Sequence, residues 1–153
     1  MPIRYPSRSD PCRGFTLIEV MVVIAILAIL VGIALPSFVN MMERARVDSS
    51  VEELVTAMRY ARSEAIQRNE IVSIVDGGDY TNGWEVQDAD ATVLRVFDGF
   101  QAGVQCNGCP VDIEFNGRGE SAVTGCFTIT DGNWPRYWRL YLSGGFTEQD
   151  ACN

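Results

Sequence analysis

The stretch Gly14-Phe15-Thr16-Leu17-Ile18-Glu19-Val20-Met21, continued by Val22-Val23-Ile24-Ala25-Ile26-Leu27-Ala28-Ile29-Leu30-Val31-Gly32-Ile33-Ala34-Leu35 and closed by Pro36, decides how the chain is organised. Phe15–Leu35 holds 21 positions and one charge, Glu19. As a helix rising about 1.5 Å per residue it reaches roughly 31 Å, the thickness of a bilayer hydrocarbon core. A secretory signal has a shorter apolar core and a small-residue cleavage site after it, and no Ala-x-Ala closes this run. An ordinary anchor fits the length but gives Glu19 no role, although a carboxylate within a membrane helix is costly and normally has a partner. If the chain is cut after Gly14, Phe15 becomes an amino terminus and Glu19 lies one helical turn away. The amine of one copy and the carboxylate of its neighbour could then neutralise each other inside a bundle of apolar helices.

Upstream, Met1–Arg13 carries Arg4, Arg8 and Arg13 against Asp10, and three prolines, so it is expected to lack regular structure. The arginines put the N-terminus on the cytoplasmic side by the positive-inside rule, with the remainder outside. Downstream, Pro36 is expected to kink the helix, since proline removes a hydrogen bond from the ladder. Beyond it Val47, Val51, Leu54, Met58, Ala61 and Ala65 recur at spacings of 4, 3, 4, 3 and 4, one apolar stripe of an amphipathic helix. Glu43, Arg46, Glu53, Arg59, Arg62, Glu64 and Arg68 take the other face, and helix is expected from about Phe15 to about Arg68.

Short apolar or alternating runs follow at Ile71–Val75, Trp84–Gln87, Val93–Phe97, Val111–Phe115, Cys126–Thr130 and Tyr137–Leu142. Asn-Gly and Asp-Gly pairs punctuate them at 82, 98, 107, 116 and 131, as tight turns require. The expectation is an α+β chain: a long kinked helix packed by its second half on one antiparallel sheet. It divides into 1–14, 15–35 as an apolar transmembrane-length helix, and 36–153 as the rest of the helix with its β head.

The formal charge is −8, with twelve Arg, no Lys and no His. Without His the commonest general acid–base group and metal ligand is missing, and no phosphate loop or hydrolase elbow appears. No enzyme and no cofactor are expected. Cys106, Cys109, Cys126 and Cys152 lie in the head, an even number suited to two disulfides in an oxidising space; the rival is a four-thiolate zinc site. Of three possible connectivities, Cys106–Cys109 with Cys126–Cys152 is favoured, the longer loop contributing roughly 3–4 kcal/mol in the chain-entropy picture. Carboxylates in turns at Asp76, Asp79, Asp88 and Asp90 lack the order of a calcium loop. Trp134–Arg139 interleaves aromatics with Arg, read as a strand with one aromatic face inward rather than a nucleic-acid platform.

Residues 13–36 resemble the leader and helix of type IV pilins and type II secretion pseudopilins. The resemblance implies cleavage between Gly14 and Phe15 by a prepilin peptidase, methylation of the Phe15 amine, Glu19 as the carboxylate that sets register, and Pro36 as the kink. It also implies an inner-membrane stage and assembly with other pilin-like subunits. Ala57-Met58-Arg59-Tyr60-Ala61-Arg62-Ser63-Glu64-Ala65 with Arg68, the strand at Ile71–Val75, and Gly83-Trp84 are similar to the GspH/FimT/FimU group of minor pilins and pseudopilins. Some of that group take up DNA through a Gly-Arg-x-Arg tail. Ser143–Asp150 has no Arg and two acids, and Gly117-Arg118-Gly119-Glu120 lacks the second Arg, so DNA is not expected as a partner.

Overall fold

A computed structural model describes residues 15–78 and 80–152, apart from the Pro36 side chain; the expected leader, including Gly14, lies outside the described residues. One helix, α1, spans Leu17–Arg68, and eight strands follow: β1 Val72–Val75, β2 Trp84–Asp88, β3 Val93–Phe97, β4 Gln105–Asn107, β5 Asp112–Phe115, β6 Gly125–Thr130, β7 Arg136–Leu140 and β8 Phe146–Gln149. The chain separates into two compact units, one ending at Val39 and one running Asn40–Asn153. The α+β class with a long N-terminal helix is as the sequence indicates.

The single expected sheet is in fact two, each of four antiparallel strands, ordered β3-β2-β1-β5 and β4-β6-β7-β8. The reason lies in the connections. Asp131-Gly132 closes a true hairpin between β6 and β7, whereas Asp98-Gly99 lies between β3 and β4, which belong to different sheets. The β2–β3 hairpin turns instead at residues 89–92, where Ala91 adopts φ 58° and Asp88 Oδ1 accepts the N–H groups of Asp90 (3.1 Å) and Thr92 (2.9 Å). Those bonds, Thr92 first, hold the Asp88 carboxyl below its ordinary range, with Arg68 adding.

Both sheets share one core with the second part of α1. Val47, Leu54, Met58, Ala61 and Ala65 are fully buried and Val51 nearly so, which is the stripe read from the spacing. Opposite them lie Val72, Ile74, Trp84, Val86, Ile113 and Phe115 from the first sheet and Phe127, Ile129 and Leu140 from the second. Alternation in β1 (buried, partly buried, buried, partly buried) shows the pleat presenting one face to the helix. Tyr80, Trp84, Phe97 and Phe100 pack ring to ring at one end, with centroids 5.4–6.1 Å apart. Tyr80 donates its hydroxyl to the Pro110 carbonyl at 2.7 Å, and burial raises its pKa.

Candidate assembly surface

The helix start is built by Thr16. Its Oγ1 accepts the Glu19 N–H at 3.3 Å, and its carbonyl accepts those of Glu19 (3.1 Å) and Val20 (3.3 Å). Thr16-x-x-Glu19 is therefore the capping-box pattern, with an acid in the first turn where the helix dipole favours it. The sequence reading gave Glu19 an intermolecular role only. Thr followed three residues later by Glu, ahead of an apolar run, was the signal for this second one.

From Phe15 to Leu35 every side chain is exposed, with Phe15 at 83%. The helix α1 is long and apolar enough to cross a membrane, its most apolar 18-residue window having a mean hydropathy of 3.0. A helix apolar on all sides needs lipid or other protein around it, because one sheet can cover only a stripe. The backbone stays helical through Pro36, where the missing N–H leaves the Gly32 carbonyl without its usual partner.

In the second unit α1 is fastened by polar contacts as well as by its stripe. Arg62 donates through Nε to the Gly119 carbonyl (2.9 Å) and through a terminal nitrogen to the Ser143 carbonyl (3.1 Å), joining two loops 24 residues apart to one guanidinium. Those loops touch at backbone: a Cβ on Gly144 would meet the Gly119 carbonyl oxygen at 1.8 Å, and both glycines have positive φ, 71° and 75°. Arg62 stood in the sequence as one of several surface charges, and only the fold shows its acceptors. Arg136 pairs with Asp48 (2.6 Å) and reaches toward Glu148 (3.9 Å), while the Arg44 guanidinium lies 3.6 Å from the centre of the Trp134 ring. The aromatic–Arg run at 134–139 is thus largely engaged with its own chain, and Trp138 packs against the core.

Cys106 is joined to Cys109 and Cys126 to Cys152, with Cα separations of 5.7 and 5.6 Å. Among the described residues no group of three or more His, Cys, Asp or Glu could hold a metal ion. Asp76 is buried at 3% exposure, and desolvation raises its pKa against the hydrogen bonds it accepts from the Gly78 and Tyr80 amides.

An exposed apolar helix, a capped start beside an acid, and a β head with its own core define a pilin-like protein. The family model described as "Type II transport protein GspH" matches residues 50–145, and the prokaryotic N-terminal methylation motif matches residues 10–35. The chain belongs to this GspH family of type IV pilin-like proteins. It is 34% identical over 116 residues to the type IV major fimbrial protein FimA of Dichelobacter nodosus, covering 70% of this chain and 68% of that one. A fimbrial protein of Pseudomonas aeruginosa is 41% identical over 61 residues, a match spanning 40% of each chain. In fold the chain is similar to the crystal structure of the type IV minor pilin FimU of Pseudomonas aeruginosa, with TM-score 0.61 and 24% identity over 71% of this chain and 92% of that one.

Proposed function

We propose that the chain is a minor subunit of a type IV pilus that helps prime fibre assembly, acting by packing rather than by catalysis. The observation that carries this reading is the run Phe15–Leu35, apolar and uncovered by its own chain, within the segment that matches the methylation motif. In this reading residues 1–14 are a leader that a prepilin peptidase removes between Gly14 and Phe15, after which the Phe15 amine is methylated. Residues 15–35 first anchor the subunit in the inner membrane, N-terminus cytoplasmic and head periplasmic, and then enter the filament core among other pilin-like subunits. Glu19 sets the register against a neighbour's amine, and Pro36 gives the helix its bend. Residues 36–153 form the outer part, stapled by two disulfides in the oxidising space. The acidic balance does not favour DNA as a partner.

Mass spectrometry of the protein from its host should find a chain starting at Phe15 with one added methyl. Glu19→Ala should insert normally yet be recovered in sheared fibres at well below the wild-type level. A mature start beyond Ala34, or normal incorporation of Glu19→Ala, would remove the basis of this reading. The description of the matching family as a type II transport protein favours a second one, a secretion pseudopilin. Deleting the gene separates the two: loss of surface fibres supports the pilus, loss of exported enzymes with fibres intact supports the pseudopilin.

A further inference from the structure

Among the described residues none fills the groove beside β8. As the last strand of the order β4-β6-β7-β8, β8 pairs with β7 on one side, and no strand among the described residues pairs with its other row of peptide groups. Next to that edge α1 contributes Arg59, Arg62, Ser63 and Ile66, and with Gly145 and Phe146 these line an open groove of about 450 Å³. Arg59 is exposed, its guanidinium 5.8 Å from the centre of the Phe146 ring, and among the described residues it makes no hydrogen bond or ion pair. Arg68, Arg118 and Arg136 each sit beside a carboxylate, whereas Arg59, like Arg44, Arg46, Arg62 and Arg95, forms no ion pair among the described residues. Helical spacing gives the reason. Glu52 precedes Arg59 by seven residues, two turns or about 10.5 Å along the axis, too far for an ion pair. Positions one turn away hold Val55, Thr56, Arg62 and Ser63.

We propose that this groove receives an extended, acid-bearing segment of a neighbouring pilin-like subunit, which adds as a strand to β8 and sets a carboxylate on Arg59. The inference rests on the filament reading above. An open strand edge supplies backbone hydrogen bonds to any extended chain, so side-chain pockets must do the selecting. Here the selecting groups are a guanidinium with all its donors available, which matches a carboxylate, and Ile66, half exposed, which suits an apolar residue on the same face of the added strand. Of the three other sheet edges, β3 exposes Val93 and Val96, with Arg95 lying over the rings of Tyr60 and Phe97.

The test places the photo-crosslinker p-benzoylphenylalanine at Ser63 in the full chain, expressed in its host, and maps crosslinks in purified fibres by mass spectrometry. The expected product joins position 63 to a segment of a different pilin-like subunit with Asp or Glu within two residues of the link. Arg59→Glu should lower its yield about tenfold through like-charge repulsion, whereas Arg59→Lys should stay within about threefold of the parent. With the parent chain present in fibres, a crosslink only to a second copy, to a segment without acids or to lipid overturns the groove proposal and leaves the filament reading standing. So does no crosslink at all, or a yield unchanged by Arg59→Glu. Absence of the parent chain from fibres overturns both.

Discussion

Leu27 and Leu54 sit on the same helix, the first 53% exposed and the second fully buried. Around Leu27 nearly every position is apolar, so no orientation of the helix could hide all of them behind one sheet. Around Leu54 the apolar residues form a stripe with charges on the other side, and two sheets close over that stripe. Residue type is the same in both places, and angular distribution decides which surroundings each segment accepts. Residues 15–35 bury no side chain against the described residues, whereas Asn40–Asn153 carries its own core and its own covalent staples.

Removing a staple tests the self-sufficient side with the largest expected effect. Replacing Cys126 and Cys152 together by Ala opens a loop of sequence separation 26 and should cost the head about 3–4 kcal/mol. Thermal unfolding of the full chain in detergent, followed by near-ultraviolet signals from the head aromatics, measures it. Helicity of the segment before Val39 should be unchanged, and a loss there as well would mean that the two units fold as one.

Next comes the leucine pair itself. Leu54→Ala should destabilise the head by about 3 kcal/mol through lost burial and the cavity left behind. Leu27→Ala in the same detergent should shift head unfolding by less than about 0.5 kcal/mol, as surface substitutions do. Equal effects would erase the contrast.

The division of α1 was legible because hydropathy and period can both be counted along a sequence. Six strands were legible for the same reason, each having apolar residues to bury. β4 and β8 were not: Gln105–Asn107 is short and polar, and Phe146–Gln149 reads as an acidic tail. Both are edges of the second sheet, where one side of the strand needs no partner and the pattern has little to encode. Missing them is what turned two sheets into one. The Thr16-x-x-Glu19 cap is a local motif that spacing can carry, but the acceptors of Arg62 lie in loops far along the chain, and long-range neighbours leave no mark in spacing.

The smallest effect concerns a charge inside the head. Asp76 has its pKa raised above the ordinary 3.8 by burial first, with Asp112 adding. A raised carboxylate pKa means that the folded state holds its proton more tightly than the unfolded one. Its contribution is therefore most favourable below 3.8 and is lost as pH rises through the folded value. Asp76→Asn keeps an acceptor for the Gly78 amide and should stabilise the head at neutral pH by under about 1 kcal/mol. That gain should shrink to nothing on titrating toward pH 3, as denaturant melts across the range would show; a gain that grew on acidification would reverse the assignment.

The bridged loops at Gly119 and Ser143 fix where this chain can change in length. An inserted residue in either loop would carry one of Arg62's two acceptor carbonyls away and drive the backbone at Gly144 off the Gly119 oxygen. The β6–β7 turn is held differently: Asp131 accepts the amides of Asn133 and Trp134 from within the turn, and a Cβ on Gly132 would meet no neighbouring atom within 4 Å. Epitope tags and family-to-family insertions belong at that turn, and lengthened variants of the 117–120 and 143–145 loops should be found only together with a replacement for Arg62.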